Sequence, residues 1–370
     1  MRQKVFILWA TGNVWTELVR QICRDDGPEK NANPTDIVGI ASSKKAVFKP
    51  EGFPQNFFPE ILKTETMSEF LEKAGMPYDD LSELLAILKN IRFPKNGIII
   101  DVTPAKGESI RQFHLDALGA VYNYSIVTAN KNIVGAESQK VFEKVTASHG
   151  LYDYNTSVMA GSGVAEYIKS ATDIHDDVLS IEWCFSGTLG YITSGLEEGK
   201  AFSQIVTEAY EKKYTEPNPY DDLSGLDVAR KLVILCRTAS NKLELADVKV
   251  RWLVSETYNT AKNAQEFLEA IRAEDAAFAK LFETAKNKGK TLRYVGSMKK
   301  EKNKLVLEVG LQEVDILSNL GQLKGTLNGV KVTTKSRTWY NESQGAWVGV
   351  TASSIRVAIA HMIPHGLPRI

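Results

Sequence analysis

The sequence predicts an α/β protein, with a doubly wound, mainly parallel sheet over residues 1–150 and an α+β region after it. Three observations carry this. Short apolar runs alternate with helical periodicities in the first part, the pattern of βαβ units. One run, Gly97-Ile98-Ile99-Ile100-Asp101-Val102, is continuously apolar, as in a strand buried on both faces. After residue 150 the alternation gives way to two helical stretches and then several strand-like runs over 291–338.

The elements follow in order. Lys4-Val5-Phe6-Ile7-Leu8 is a strand ending at Thr11-Gly12-Asn13, and Val14, Leu18, Val19 and Ile22 then recur at helical spacing. Asp36 to Ala41 is a second strand, closed by Ser42-Ser43-Lys44-Lys45. Residues 44–66, rich in Pro, Phe and Lys, read as an irregular loop. A helix is expected over 78–90, the continuous strand at 97–102, a helix over 108–119 and a strand at Ser125-Ile126-Val127-Thr128. Tyr152 to Val158 reads as a strand, followed by the small-residue turn Ala160-Gly161-Ser162-Gly163. Helices are expected near 201–213 and 226–240, and strands at Thr291–Val295 and Leu305–Val309.

Composition narrows the function. Lys+Arg and Asp+Glu both number 45, so the formal net charge is zero and no basic excess points to nucleic acid. No apolar run reaches the ~18 residues of a membrane span, and the N-terminal apolar stretch is too short for a signal-peptide core. Cys23, Cys184 and Cys236 are odd in number and widely spaced, forming neither a disulfide framework nor a CxxC site, so a cytoplasmic location is expected. The five histidines lack zinc spacing, and Gly161-Ser162-Gly163 lacks the nucleophile-elbow pattern. The length favours two domains.

Four segments could carry chemistry. The turn Trp9-Ala10-Thr11-Gly12-Asn13-Val14-Trp15 sits where a dinucleotide-binding turn would present a helix N-terminus to phosphates. Only Gly12 has the glycine type expected there, so the turn reads either as such a site or as an ordinary strand-to-helix connection. Ser42, Ser43, Lys44 and Lys45 end strand two without the acidic residue that would select NAD; they suit a 2′-phosphate or form a solvated loop. Lys131 follows an inner strand, at the sheet edge where ligands bind. The segment from Tyr214 to Lys231 is the richest. Its two prolines fix the start, and Ser224 with Asp227 resembles a capping box. Asp227 and Lys231 share a helical face at i,i+4 spacing. They form either a helix-end ion pair or a poised proton donor, and Glu216, Asp222 and Asp227 could bind an ammonium group.

Together these segments resemble the homoserine dehydrogenases, in the short form without an aspartokinase domain. The resemblance covers nearly the whole chain. It is most specific in Tyr214-Thr215-Glu216-Pro217 and Asp221 through Lys231, with support from Gly39–Lys45, Val127–Lys131, Phe185-Ser186-Gly187-Thr188-Leu189 and Leu292–Gly296. It implies a Rossmann-type nucleotide-binding domain (1–150 with 339–370), a dimerisation region (151–166 with 291–338) and a catalytic region (167–290). The implied activity is NAD(P)-dependent interconversion of L-aspartate 4-semialdehyde and L-homoserine, in threonine and methionine biosynthesis, by a homodimer with no membrane or nucleic-acid partner. Lys231 would donate the proton and Lys131 support it. Glu216, Asp227, Asp222, Tyr214, Thr188 and Gly187 would bind substrate. NADP in preference to NAD would lie on Thr11, Gly12, Asn13, Val14, Ser42, Ser43, Lys44, Thr103, Lys131 and Gly345, and a sodium ion on Asn155, Val158, Ala160 and Ser162.

The family has glycines at the positions of Trp9, Trp15 and Trp183, and an all-small stretch where Trp347 stands. Those indoles open an alternative, a cofactor-impaired homologue acting as a binding or regulatory subunit. The retained Glu216, Asp227, Lys231 and Lys131 favour the enzyme. No appended regulatory domain is expected.

Overall fold

A computed structural model describes residues 3–25, 35–95, 97–147, 151–302, 304–344 and 348–362. The chain divides into two compact units, at Gly161/Ser162 and again just before the last helix.

The first unit holds β1 (Gln3–Leu8), α1 (Asn13–Asp25), β2 (Thr35–Ala41), β3 (Lys45–Phe48), α2 (Phe57–Ile61), α3 (Met67–Ala74) and β4 (Met76–Pro77). It continues with α4 (Leu81–Asn90), β5 (Ile98–Asp101), α5 (Glu108–Leu118), β6 (Ser125–Thr128), α6 (Gln139–Thr146) and β7 (Tyr152–Asp153). The sheet order is β4-β3-β2-β1-β5-β6-β7, with β2, β1, β5, β6 and β7 parallel and β3 and β4 antiparallel. All four residues of β5 are buried, as the continuous apolar run predicts. Leu8 pairs with both Ala41 and Asp101, and Asp101 pairs with Thr128. The strands therefore end level, and the loops after β1, β2, β5 and β6 open along one edge.

Residues 44–66 are more regular than expected. Lys45–Phe48 pairs with β2 as a hairpin, and Phe53, Phe57 and Phe58 cluster at 4.7–5.1 Å between ring centroids. Aromatic burial orders a stretch whose prolines suggested a loop. The strand expected over 152–158 stops at Asp153. Short 3₁₀ turns follow, because Met159, Ala160 and Gly161 take φ of 51°, 51° and 80°, which no strand accommodates.

The second unit holds α7 (Val164–Asp173), β8 (Val178–Cys184), α8 (Gly187–Glu197), α9 (Phe202–Glu211), α10 (Pro219–Leu223), α11 (Leu226–Thr238), β9 (Lys249–Val250), α12 (Ala264–Ala270) and α13 (Asp275–Asn287). Strands β10 (Lys290–Glu301), β11 (Lys304–Asp315), β12 (Leu327–Thr334) and β13 (Thr338–Gln344) complete it. Its sheet runs β13-β12-β8-β10-β11-β9, and α8, α11 and α13 pack on β10. Because β8 is hydrogen-bonded between β12 and β10, residues 167–290 and 291–338 share one sheet. Residue 339 falls inside β13, so the chain rejoins the first unit only at α14 (Val348–His361). There Ala352, Ile355, Ala358 and Ile359 join Trp15, Leu18, Val19 and Ile22 of α1 in one buried cluster under the sheet. Among the described residues, no helix is long and apolar enough to cross a membrane.

Candidate active site

In the second unit, the sequence-predicted residues converge on the N-termini of α8 and α11. Helix α11 begins at Gly225, whose φ of +70° suits glycine and whose Cα faces the Tyr294 hydroxyl so closely that a Cβ would lie 1.9 Å from it. The capping box expected from Ser224 and Asp227 does not form. Ser224 lies before the cap, donating its hydroxyl to Asp221 O and accepting from Leu226 N. One turn into α11, Asp227 Oδ2 sits 2.8 Å from Lys231 Nζ. The Lys231 side chain is 10% exposed and also donates to the carbonyl of Phe185 at 2.7 Å. A buried ammonium needs such partners, since desolvation alone would drive off its charge.

Phe185 leads into α8. Ser186 caps that helix by accepting from Leu189 N, leaving Gly187 and Thr188 in its first turn. Thr188 Oγ1 lies within hydrogen-bond reach of both Tyr214 O and Asp222 Oδ1, and its single proton serves one of them at a time. Asp222 Oδ2 accepts the backbone N–H of Glu216 at 2.7 Å. The stretch from Tyr214 to Asp222 is thus closed on itself through one carboxylate. Burial pushes the Asp222 carboxyl up to about 6, with the nearby Glu216 and Asp227 charges adding to the rise. A carboxylate held uncomfortably in this way favours a cation beside it. Tyr214 and Glu216 are exposed at the rim, the Tyr214 ring meeting Tyr191 edge-on at 5.1 Å.

Trp183 does not enter this cluster. It is fully buried on β8, stacked on Phe185 and lying across Gly296 of β10, where a Cβ would come within 2.5 Å of the indole. The glycine that the family carries on one strand is matched here by a glycine on its neighbour.

In the first unit, the predicted cofactor residues from Thr11 to Lys131 lie on the loops at the carboxyl edge of the sheet. Thr11, Gly12, Asn13 and Val14 form the β1–α1 turn, and the first turn of α1 carries no acidic residue to repel a phosphate. Trp9 adopts φ of +68°, the left-handed conformation for which a glycine is the usual choice, and its ring lies beside Gly12. Trp15 points the other way, fully buried and edge-on to Phe58 at 5.4 Å. It therefore fills core, not the face toward the turn. In the β2–β3 turn, Ser42 accepts from the backbone of Lys44 and Lys45, and Lys45 pairs with Glu72 at 2.8 Å. Ser43 and Lys44 remain exposed. These donors fit an anionic phosphate. Gly345, like Trp347, lies outside the described residues.

Thr103 and Lys131 lie on the loops after β5 and β6. Thr103 N donates to Asp101 Oδ1, and Lys131 stands between two asparagines that are hydrogen-bonded to the neighbouring loop. The asparagines, the buried Asp101 and the Phe185 carbonyl were not among the predicted residues. Main-chain acceptors leave no mark in a sequence, and Asp101 reads there as the polar end of a strand.

Of the four predicted metal ligands, Asn155 donates its backbone and side-chain N–H groups to Asp153, and Val158 O accepts from Gly161 N. Ala160 follows with positive φ, and Ser162 Oγ is buried with no hydrogen-bond partner. Among the described residues no group of three or more His, Cys, Asp or Glu side chains is placed to hold a metal ion.

Residues 164–359 match the family model described as homoserine dehydrogenase. The chain is 32% identical over 369 residues to the bifunctional aspartokinase/homoserine dehydrogenase of Haemophilus influenzae, covering 97% of this chain and 42% of that protein. It therefore spans about two-fifths of that relative's length. It is 31% identical over 359 residues to the homoserine dehydrogenase of Schizosaccharomyces pombe, covering 93% of this chain and 91% of that protein. Its fold also matches a hyperthermophilic archaeal homoserine dehydrogenase in complex with NADPH, at a TM-score of 0.71 and 17% identity over 97% of both chains. A capped α8 and a lysine buried beside the i−4 aspartate thus sit in a chain that aligns nearly end to end with a relative of the same length class, and the chain belongs to the homoserine dehydrogenase family.

Proposed function

We propose that this protein is an NAD(P)-dependent oxidoreductase that interconverts L-aspartate 4-semialdehyde and L-homoserine, with NADP preferred, in threonine and methionine biosynthesis. The observation that carries the reading is the buried Lys231 ammonium, fixed by Asp227 at 2.8 Å and the Phe185 carbonyl at 2.7 Å. A nicotinamide held on the sheet edge of the first unit would supply the hydride chemistry, and the residues of this chain handle the proton. As the C=O π pair moves onto oxygen, one proton is required there, and Lys231 Nζ delivers it. Oxidation reverses this, with the neutral amine taking the hydroxyl proton. Asp227 and Phe185 O hold the amine in place, which spares the reaction the cost of orienting it. Asp222, Glu216 and the Thr188 turn bind the substrate's ammonium end, and Tyr214 and Gly187 complete the pocket. Lys131 is the second cation assisting the substrate.

For the nucleotide, the α1 N-terminus with Thr11, Gly12, Asn13 and Val14 binds the pyrophosphate. Ser43 and Lys44 hold the 2′-phosphate while Ser42 shapes their turn, and Thr103 and Gly345 contribute further contacts. Binding of NADPH by the archaeal structural relative supports the cofactor class. The neutral oxygens of Asn155, Val158, Ala160 and Ser162 suit a monovalent cation such as sodium. We also place the protein in the cytoplasm as a homodimer; the wide spacing of Cys23, Cys184 and Cys236 along the chain, unlike a disulfide framework, suits a reducing compartment.

The test is titration with NADPH and NADH, followed through Trp9 emission, together with NADPH-dependent reduction of aspartate semialdehyde. Lys231→Ala is expected to lower kcat by about 10²–10⁴-fold with nucleotide affinity intact. Wild-type protein that binds neither nucleotide at millimolar concentration, or that binds but does not turn over, refutes the enzyme. Unchanged kcat in the variant refutes the proton donor.

A further inference from the structure

In the first unit, buried Asp101, His114 and Tyr152 form a polar network to which the chemistry above gives no role. Asp101 closes β5 with 0% exposure, and its carboxylate accepts from three donors: Thr103 N at 2.9 Å, Thr128 Oγ1 at 3.2 Å and His114 Nε2 at 3.0 Å. His114 is itself fully buried on α5, and its Nδ1 lies 3.0 Å from the Tyr152 hydroxyl on β7. Burial, with Asp101 near, drives the Tyr152 phenol well above its ordinary value, so its hydroxyl keeps a proton to donate. One assignment then satisfies every group: Tyr152 O–H donates to Nδ1, and Nε2–H donates to Asp101. Burial would raise the Asp101 carboxyl, but the bonds from His114 and Thr103 outweigh it and hold it below its usual range.

What these groups hold is the carboxyl edge of the sheet. Thr103 Oγ1 accepts from Ala105 N and from the Asn130 side-chain amide, both at 3.2 Å. Thr128 Oγ1, whose proton goes to Asp101, accepts from Asn130 N at 3.0 Å. The Asn130 side chain also donates to Ala105 O and accepts from Asn132 N, and Asn132 donates back to Ala105 O. The loop after β5 and the loop after β6 are thereby stitched together, with Lys131 between the two stitched asparagines. Both loops hang from one carboxylate.

We propose that His114 and Tyr152 are positioning residues, which fix the Asp101 carboxylate so that the loops bearing Thr103 and Lys131 keep one arrangement before any ligand arrives. The consequence rests on the proposed function only where kinetics are concerned; the structural core stands without it. Without the Nε2–H donor the buried carboxylate loses its anchor on α5, and keeps only Thr103 N on the loop after β5 and Thr128 Oγ1 at the last residue of β6, from which the second loop departs. Strands β5 and β6, held by their own ladders, have no reason to loosen.

The test is amide hydrogen exchange on the nucleotide-free, full-length protein. In His114→Leu, the amides of Thr103, Ala105, Asn130 and Asn132 are expected to exchange about tenfold faster or more, with β5 and β6 unchanged. His114→Gln, which keeps an N–H donor toward Asp101, should restore protection. Tyr152→Phe deletes one hydroxyl and should loosen the same amides to a smaller degree. In the kinetic arm, His114→Leu raises the KM for NADPH about tenfold and the Gln variant recovers it. Unchanged exchange at the four amides in His114→Leu overturns the proposal. So does a uniform rise across the whole unit in both His114→Leu and Tyr152→Phe, which would mark a merely structural role. Wild-type protein without turnover would refute the enzyme and leave the exchange result to decide this proposal.

Discussion

Replacing Asp222 by Asn separates the stability of this protein from its proposed activity. The carboxylate accepts from Glu216 N and from Thr188, and burial raises it from 3.8 to about 6. Above pH 6 the folded state thus holds an anion that the unfolded chain holds more easily, at a cost of up to roughly 3 kcal/mol. The sign follows. With a folded value above the unfolded one, the favourable contribution is complete below about pH 4 and is lost as pH rises through about 6. Asn removes that penalty, but its amide oxygen can serve only one of the two donors, forfeiting roughly 1–1.5 kcal/mol. Asp222→Asn is therefore expected to be about 1–2 kcal/mol more stable than wild type at pH 8 and no more stable at pH 4. The same substitution withdraws the charge proposed to face the substrate's ammonium group, so the KM for homoserine should rise about tenfold or more. Urea unfolding at pH 4 and 8, with steady-state kinetics at pH 8, measures both. A variant less stable than wild type at pH 8, or one with unchanged KM, would refute the reasoning.

Two further outcomes test other parts of the structure. Lys44→Ala should raise the KM for NADPH about 5–10-fold and leave that for NADH unchanged, because an exposed cation contributes modestly and only to the 2′-phosphate; equal effects on both nucleotides would remove Lys44 from that role. Gly296→Ala would place a methyl 2.5 Å from the buried Trp183 ring, and overpacking there should destabilise the fold by about 1–3 kcal/mol in urea melts. A loss below about 0.5 kcal/mol would show that the indole can move aside.

The sequence carried the first unit well because its strands are local signals. A run such as Ile98-Ile99-Ile100 reports burial on both faces wherever it packs. The pairing of Asp227 with Lys231 was equally legible, since helix geometry alone brings i and i+4 together. Residues 44–66 were misread because Phe53, Phe57 and Phe58 gain order by packing on a core cluster that includes the distant Trp15 and Leu18 of α1. Ser224 and Asp227 looked like a capping box, yet the close approach of Tyr294 reserves the cap for Gly225. The indoles at glycine positions gave no hint of their separate destinations: Trp15 in the core, Trp183 over a cross-strand glycine, Trp9 in a left-handed turn.

The residues themselves determined which chemical groups are available: a lysine one turn after an aspartate, a polar loop ending a strand, a helix starting behind a tight turn. Periodicity and helix geometry act over a few residues, so these could be read along the chain. Only the tertiary structure decided that Lys231 is desolvated against a carbonyl 46 residues away, that Asp222 closes the loop from Tyr214, and that Asp101 draws His114 and Tyr152 into one buried network. Burial and through-space hydrogen bonds depend on distances that no local pattern encodes.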